Sequence, residues 1–224
     1  MIRPAAGVEG GAVIDDVTHH LGAVGRTVRS GERDGLPTRV VAVSQTYDGA
    51  VDDVWDALTN PERLPRWFLP VTGDLRVGGR YHLEGNATGE ILACAPPSHL
   101  AATWESAEEV TWLEVRLTEE EPGRTRLDLE HAAHVDPGRW KQFGPGAVGV
   151  GWDLALLGLA THLSGAGDLD PAEAAAWPLS EEGRKFIASS SERWGAANAA
   201  NGEDEATAAE AAARTTAFYT GQPL

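Results

Sequence analysis

The sequence has few of the groups that define several functional classes. It contains one cysteine, Cys94, which excludes an intrachain disulfide. It has 18 basic residues against 34 acidic ones, a formal net charge of −16. No segment clusters Lys and Arg as binding to nucleic acid or to an anionic membrane surface requires. We therefore expect no nucleic-acid partner.

Long apolar runs are also missing. No run approaches the roughly 20 residues of a membrane span, so no membrane insertion is expected. The N-terminal MIRPAAGVEGGAVIDD lacks the continuous apolar region of a signal peptide. A cytoplasmic location is therefore the expectation. Cys94 lies in the apolar run TGEILAC, which predicts a buried and inert thiol.

The motifs of several enzyme and cofactor classes are absent. There is no GxSxG, P-loop, CxxC or HExxH. Gly144 to Gly149 (GPGAVG) matches GxGxxG, but the βαβ context of a dinucleotide site is lacking. We interpret it as a loop and a helix start whose glycines allow close packing. His131 and His134 form an HxxH that strand alternation places on opposite faces, which argues against a shared metal. Neither a metal nor an organic cofactor is expected.

Periodicity indicates the order of the elements. Residues 38–46 (TRVVAVSQT) alternate as a strand, and residues 51–58 have apolar side chains at helical spacing. Pro61 ends that helix, and Asn60 can cap a second short helix that carries Leu64, Trp67 and Phe68. From residue 75 onward, short alternating runs separated by turns predict an antiparallel meander.

The C-terminal half is predicted to be helical. Residues 140–163 are typical of one long helix, with Trp152, Leu156, Leu159 and Leu163 on one face. An Ala-rich tail follows, with helical patches at residues 171–176, 180–198 and 203–219. The tail has too few large apolar residues for a core of its own, so we expect it to pack on the main domain or on a second copy of the chain.

Five segments carry a resemblance to a known family. They are VDDVWDALTNPERLPRWF, VGGRYHLEG, GEILACAPPSHLAATWE, TRLDLEHAAH and GPGAVGVGWDLALLGLATHL, in that order. Together they resemble the START-like (SRPBCC, birch-pollen-allergen-like) superfamily, and within it the bacterial relatives of the activator of heat-shock-protein-90 ATPase. The tail motif WPLSEEGRKFIASSSERWGAANAANG resembles an extension on some bacterial members.

The resemblance implies an α+β helix-grip fold. In that fold a curved antiparallel sheet wraps around a long C-terminal helix, two short helices follow the first strand, and a cavity lies between sheet and long helix. The expected organisation is an N-terminal extension over residues 1–37, the helix-grip domain over residues 38–165 and an acidic, helical C-terminal extension over residues 166–224. A homodimer through that extension is a further expectation.

Alternation and the implied fold together select candidate site residues. The candidates for ligand binding are Trp67, Phe68, Tyr81, Leu83, Trp104, Leu113, Val115, Leu129, His131 and Trp152. The alternative interpretation is that these side chains only fill the core. Tyr81 and His131 are the polar members, and they are the candidate catalytic residues if the cavity is an active site.

Three functions remain open at the level of sequence. Members of the superfamily bind hydrophobic molecules such as lipids, sterols or polyketides, which favours binding of a hydrophobic or aromatic small molecule. The same cavity could instead serve a cyclase, aromatase or hydrolase. A protein-interaction module, similar to a co-chaperone, is the third hypothesis, and it predicts a filled core and an exposed apolar patch on the tail.

Overall fold

The fold is built on one antiparallel sheet. The computed structural model describes residues 19–106, 109–165 and 170–223. Its strands are β1 (Gly25–Arg33), β2 (Leu36–Asp48), β3 (Val71–Gly73), β4 (Arg80–Leu83), β5 (Ala87–Ala95), β6 (His99–Ser106), β7 (Glu109–Glu121) and β8 (Arg124–His134). Their order in the sheet is β1-β2-β8-β7-β6-β5-β4-β3, with every neighbouring pair antiparallel.

Helices cover one face of this sheet and extend beyond it. They are α1 (Val51–Thr59), α2 (Pro137–Phe143), α3 (Gly146–Leu163), α4 (Pro171–Ala176), α5 (Glu181–Ala200) and α6 (Glu205–Tyr219). Short 3-10 helices lie at Leu64–Arg66 and Trp177–Leu179, and residues 19–23 are also helical. The predicted α+β architecture, with an antiparallel sheet around a long helix, is confirmed.

Strand β1 lies within the segment that the sequence assigned to the N-terminal extension. It pairs with β2 along its whole length, from Gly25 opposite Ser44 to Arg33 opposite Leu36. Only Val28 of this strand is buried, and the other residues are small, polar or charged. The apolar alternation was therefore too weak to predict a strand, and β1 is stabilised by its ladder and by contacts with the tail.

The single helix predicted over residues 140–163 was wrong, because the structure has two helices there. Gly144 ends α2 with φ +57° and ψ −151°, a backbone conformation that glycine adopts readily because it has no Cβ. Pro145 follows, and α3 begins at Gly146. Asp136 caps α2 by accepting hydrogen bonds from the backbone N–H groups of Gly138 and Arg139.

The glycines of α3 are contact points, as the sequence predicted. A Cβ at Gly149 would lie 2.2 Å from Cε2 of Trp194, and one at Gly158 would lie 2.5 Å from the Trp67 carbonyl oxygen. The match to GxGxxG therefore marks helix packing, because its last glycine receives the ring of a tail tryptophan.

Helix α3 is the core helix of the fold. By length and composition alone it could cross a membrane, with a mean hydropathy of 1.3. It lies instead between the sheet and α5, with Val150, Leu156 and Leu159 buried at 0–3% exposure. Asp153, in the middle of the same helix, is fully buried in an ion pair with Arg26.

The tail packs on its own domain, which answers one of the two alternatives left by the sequence. Helix α5 contacts both β1 and α3, and Phe186, Ile187 and Trp194 are buried there at 0–1% exposure. Helix α6 packs on α5 and on α2, where the Thr215 hydroxyl donates a hydrogen bond to the Phe143 carbonyl. The few apolar residues of the tail therefore join the core of the main domain.

Cys94 does not have the predicted burial. Its side chain is exposed near the end of β5. The pairing of β5 with β6 shifts register between Ile91 and Ala93, so the alternation that buries Ala87, Gly89 and Ile91 stops there. The exposed thiol consequently borders the cavity that lies between the sheet and α3.

Candidate functional site

A cavity of about 180 Å³ lies between the sheet and α3, and we call it the inner pocket. Nine of the ten candidate ligand-binding residues line it: Trp67, Phe68, Tyr81, Leu83, Trp104, Leu113, Val115, Leu129 and Trp152. The tenth, His131, does not line this pocket and lies behind its wall. That the nine bind a ligand remains a prediction, but the structure brings them together around unfilled space.

Strand alternation explains how the sheet supplies its share of these side chains. On β4, Tyr81 and Leu83 are buried while Arg80 and His82 are exposed. On β8, Leu127 and Leu129 are buried at 0% and 5% exposure, with Asp128 between them on the other face. The inner face of the sheet is therefore apolar because the side-chain period of a strand is two.

Leu64, Trp67 and Phe68 line the inner pocket, and we call the stretch that carries them, residues 60–68, the gate segment. The Asn60 side chain accepts a hydrogen bond from the Glu62 N–H at 2.9 Å. The short 3-10 helix begins only at Leu64, with Arg63 as its N-cap, so the predicted cap of a helix beginning at Pro61 was wrong. Arg63 forms ion pairs with Asp53 and Asp56 of α1, and its hydrogen bond lowers the pKa of Asp56. These contacts fasten the gate segment to α1.

The two aromatic residues of the gate segment differ in how firmly they are held. The Trp67 indole N–H donates to the Ala57 carbonyl at 2.9 Å, and Gly158 leaves room for the Trp67 backbone against α3. Phe68 stacks on Trp67 with ring centroids 5.4 Å apart and is only partly buried. Trp67 is thus fixed by a hydrogen bond as well as by packing, whereas Phe68 is held by ring stacking and packing alone.

Tyr81 is held as a structural group. Its hydroxyl donates a hydrogen bond to the Thr103 carbonyl at 2.6 Å, and burial raises its pKa to about 12. A Cβ at Gly89 would come within 2.7 Å of the ring, so the absence of a side chain there makes room for it. This geometry keeps the phenol proton on a backbone carbonyl and away from the cavity.

His131 is also fully engaged by protein groups. Its Nδ1 accepts from the Trp152 indole N–H at 3.1 Å, which requires the proton to be on Nε2. Nε2 then donates to the Thr111 hydroxyl at 2.7 Å, and that hydroxyl donates to the Trp104 carbonyl at 2.9 Å. Burial lowers the pKa of His131 to about 4. The ring is therefore neutral and lacks the free lone pair that a general base needs.

This histidine predicts a specific loss of stability in acid. Unfolded histidine has a pKa near 6.5, so between pH 6.5 and 4 the unfolded chain binds the additional proton and stability falls as the pH falls. Between pH 7.5 and 4.5 we expect His131 to account for roughly 2–3 kcal/mol of lost unfolding free energy. Urea unfolding of His131→Gln, whose amide can keep both hydrogen bonds, should show a pH dependence flatter by that amount.

The matched control is His82→Gln, because His82 is exposed on the outer face of the same sheet. It should retain the pH dependence of the parent protein. Equal slopes for the parent protein and His131→Gln would show that His131 does not carry the effect.

A second cavity, of about 240 Å³, lies at the N-terminal end of α3, beneath α2. His131 and Trp104 are part of its lining, so Trp104 borders both cavities. Near it, Trp112 packs edge-on against His134, with ring centroids 5.0 Å apart. Among residues 19–106, 109–165 and 170–223, no three His, Cys, Asp or Glu side chains are grouped to hold a metal ion.

Sequence reasoning missed several residues of β5, β6 and α3 that line the inner pocket. Ile91, Leu100 and Ala102 of β5 and β6 line it, and so do Ala155, Leu156 and Leu159 of α3. The helical stripe had indicated Leu156 and Leu159 as a face shared with Trp152, but not that this face borders unfilled space. Ala155 gave no signal, since a small side chain reveals its importance only through the space left beside it.

A family model and two solved structures of one relative are similar to this chain. A family model described as "Activator of Hsp90 ATPase homolog 1-like protein" matches residues 48–164. The crystal structure of CalU16 from Micromonospora echinospora is 34% identical, with a TM-score of 0.63, over 78% of this chain and 98% of CalU16. The solution structure of CalU16 gives 34% identity and a TM-score of 0.69, over 80% and 97%.

Two further results define the limits of the match. Protein MLL2253 from Mesorhizobium loti shares the fold at 24% identity and a TM-score of 0.51, over 58% of this chain and 100% of that protein. No curated protein matches significantly. The CalU16 alignment covers more of the chain than residues 48–164, so the likeness extends into the flanking elements.

Proposed function

Because this chain belongs to the family of Activator of Hsp90 ATPase homolog 1-like proteins, we propose that it binds a hydrophobic small molecule in the inner pocket. The observation that carries the proposal is unfilled space inside the fold, about 180 Å³, surrounded by apolar and aromatic side chains. A cavity of about 150 Å³ lined by apolar residues is enough to hold benzene. The inner pocket therefore suits a ligand with at least one aromatic ring.

The polar groups around the inner pocket support binding in preference to catalysis. The Trp67 indole, the Tyr81 hydroxyl and the Trp152 indole each donate to a protein acceptor. These three groups need no further hydrogen bond from a ligand, which favours a ligand with an apolar body. The enzyme hypothesis assigned proton transfer to Tyr81 and His131, and the hydrogen bonds of both side chains argue against that role.

The interaction-module hypothesis has less support. It predicted a filled core, whereas the inner pocket is unfilled. The description of the family names an activator of Hsp90 ATPase. That activity is a property of the protein so named, and the description alone does not support the interaction-module hypothesis.

A neutral fluorescent probe tests the proposal. N-phenyl-1-naphthylamine should bind the parent protein, and Ala155→Trp should fill the pocket from α3 and weaken binding roughly 50- to 100-fold. A loss of affinity of that size equals the free energy of burying on the order of 100 Å² of apolar surface at about 25 cal/mol/Å². Thr161→Trp, at an exposed position of the same helix, is the matched control and should leave the affinity unchanged. Circular dichroism and thermal unfolding would confirm that each variant is folded.

Cys94 supplies an independent readout, because its exposed thiol lies at the mouth of the pocket. Bound probe should slow its reaction with a maleimide in the parent protein and in Thr161→Trp. Equal binding to all three proteins, with no protection of Cys94, would contradict the proposal. Native mass spectrometry of the purified protein, followed by extraction, would then identify any retained molecule.

A further inference from the structure

The second cavity differs from the inner pocket in the state of its polar atoms. Two buried atoms there, Arg39 Nε and His134 Nδ1, have no hydrogen-bond partner within the part of the chain that the structure describes. A buried N–H without an acceptor costs roughly 1–3 kcal/mol. Its lining also includes the apolar Val41, Ala147 and Val148 and two carboxylates, Glu109, which pairs with Arg139, and Asp136, which caps α2. The cavity thus presents an unsatisfied donor, while its two carboxylates are engaged by other protein groups.

Arg39 is also a cation without a counterion. One of its terminal nitrogens donates to the Ser30 hydroxyl at 2.8 Å, and its guanidinium lies over the Trp140 ring at 5.4 Å. No described carboxylate lies within ion-pair distance of it. Arg139, at the same cavity, is by contrast paired with Glu109 at 2.5 Å. In a chain with a net charge of −16, an unpaired arginine beside a cavity indicates an anionic group on a ligand.

Only one layer of side chains separates the two cavities. It consists of Trp104, His131 and Trp152, whose ring centroids lie 5.5–5.9 Å apart. His131 and Trp152 are joined by a hydrogen bond. Trp104 is held by ring contacts, is partly exposed and borders both spaces, so its rotation would connect them.

The sizes of the cavities favour a ligand that uses both. Each space, at about 180 and 240 Å³, is smaller than the roughly 300 Å³ at which the pockets of drug-sized ligands begin. Connected past Trp104, they reach that range. An apolar space followed by a space with an unpaired cation matches an elongated molecule with one anionic end.

We propose that the ligand of this protein is a carboxylate-bearing amphiphile. Its apolar body occupies the inner pocket, its chain passes Trp104, and its carboxylate accepts a hydrogen bond from Arg39 Nε in the second cavity. This inference rests on the proposed function, since it adds an anionic end to the ligand of the inner pocket.

Competition with N-phenyl-1-naphthylamine tests the inference, with dodecanoate and dodecan-1-ol as competitors that differ in their end group. We expect dodecanoate to displace the probe from the parent protein at a concentration at least about tenfold lower than the concentration of dodecan-1-ol that is needed. A charge-assisted hydrogen bond to the carboxylate accounts for a difference of that size. Arg39→Met should abolish that preference and leave displacement by dodecan-1-ol unchanged. Arg116→Met, at an exposed site on β7, is the matched control and should keep the preference.

The other outcomes separate this inference from the function on which it rests. If the preference is missing, or if it persists in Arg39→Met and in a second variant, Arg39→Gln, the carboxylate site is wrong while binding in the inner pocket stands. Binding of dodecanoate without displacement of the probe would show two separate sites and would overturn the single spanning ligand. If Ala155→Trp leaves the affinity for the probe and for dodecan-1-ol unchanged, the proposed function itself is wrong.

Discussion

Asp153→Ala is expected to lower the free energy of unfolding by about 3–5 kcal/mol, because it leaves a buried arginine without its counterion. The Asp153 carboxylate accepts from Arg26 Nε at 3.0 Å, from the Ser190 hydroxyl at 2.5 Å and from the Trp194 indole N–H at 3.1 Å. The side chains of Arg26 and Asp153 are exposed by only 5% and 0%. Urea unfolding followed by circular dichroism measures the loss.

The position of Asp153 explains why one carboxylate has so large an effect. It lies on α3, Arg26 lies on β1, and Ser190 and Trp194 lie on α5. Arg26 also donates to the carbonyl oxygens of Leu21 and Val24, just before β1. One carboxylate therefore connects the N-terminal segment, the core helix and the tail, so its removal should weaken the attachment of both flanks.

Two controls distinguish a buried charge from a general effect of substitution. Asp128→Ala removes the partner of Arg126 at the surface and should lower the free energy of unfolding by less than about 1 kcal/mol. The double variant Arg26→Met with Asp153→Leu removes both buried charges together and should recover at least half of the loss. If Asp153→Ala were as stable as the parent protein, the importance assigned to the ion pair and hydrogen bonds of Asp153 would be wrong.

Trp194→Ala should destabilise the protein by a similar amount, about 3–5 kcal/mol, because it empties a large and fully buried site. The ring is 0% exposed, lies against the Cα of Gly149 and hydrogen-bonds Asp153. We also expect earlier proteolytic cleavage within residues 170–223, since α5 would lose its main anchor on α3. Trp177→Ala, at a partly buried tail position, is the matched control and should cost less.

A second substitution tests the contact itself. Gly149→Ala alone should be destabilising by about 1–3 kcal/mol, because its methyl group would overlap the indole. In a Trp194→Leu background the same change should cost clearly less, since the smaller side chain leaves room. Additive losses would show that the two residues do not interact as the structure indicates.

The candidate site shows how far alternation alone can predict. It placed Leu127, Leu129 and His131 on one face of β8, and the burial pattern agrees. It could not tell that His131 faces a different cavity from Leu129. That difference depends on register, which sets His131 opposite Leu113 and Val41, and on Trp152, which comes from a helix 21 residues further along the chain.

Arg39 shows the same limit in another form. In TRVVAVSQT it shares its strand face with Val41 and Val43, so its inward direction could be predicted from the sequence. Its missing counterion could not. The pairing of other charges, such as Arg139 with Glu109, comes from residues that meet only after β7 and α2 have packed.

By itself, the sequence determined the properties that repeat along the chain. The apolar alternation of β2, β4, β7 and β8, the helical stripe of α1 and the helices of the tail are local patterns, and five ordered segments were enough to indicate the fold. Tertiary structure alone decided which groups meet and which space stays unfilled. Arg26 and Asp153 pair across 127 residues, and Trp104 separates two cavities. Such contacts depend on how whole elements pack, and no local pattern records that packing.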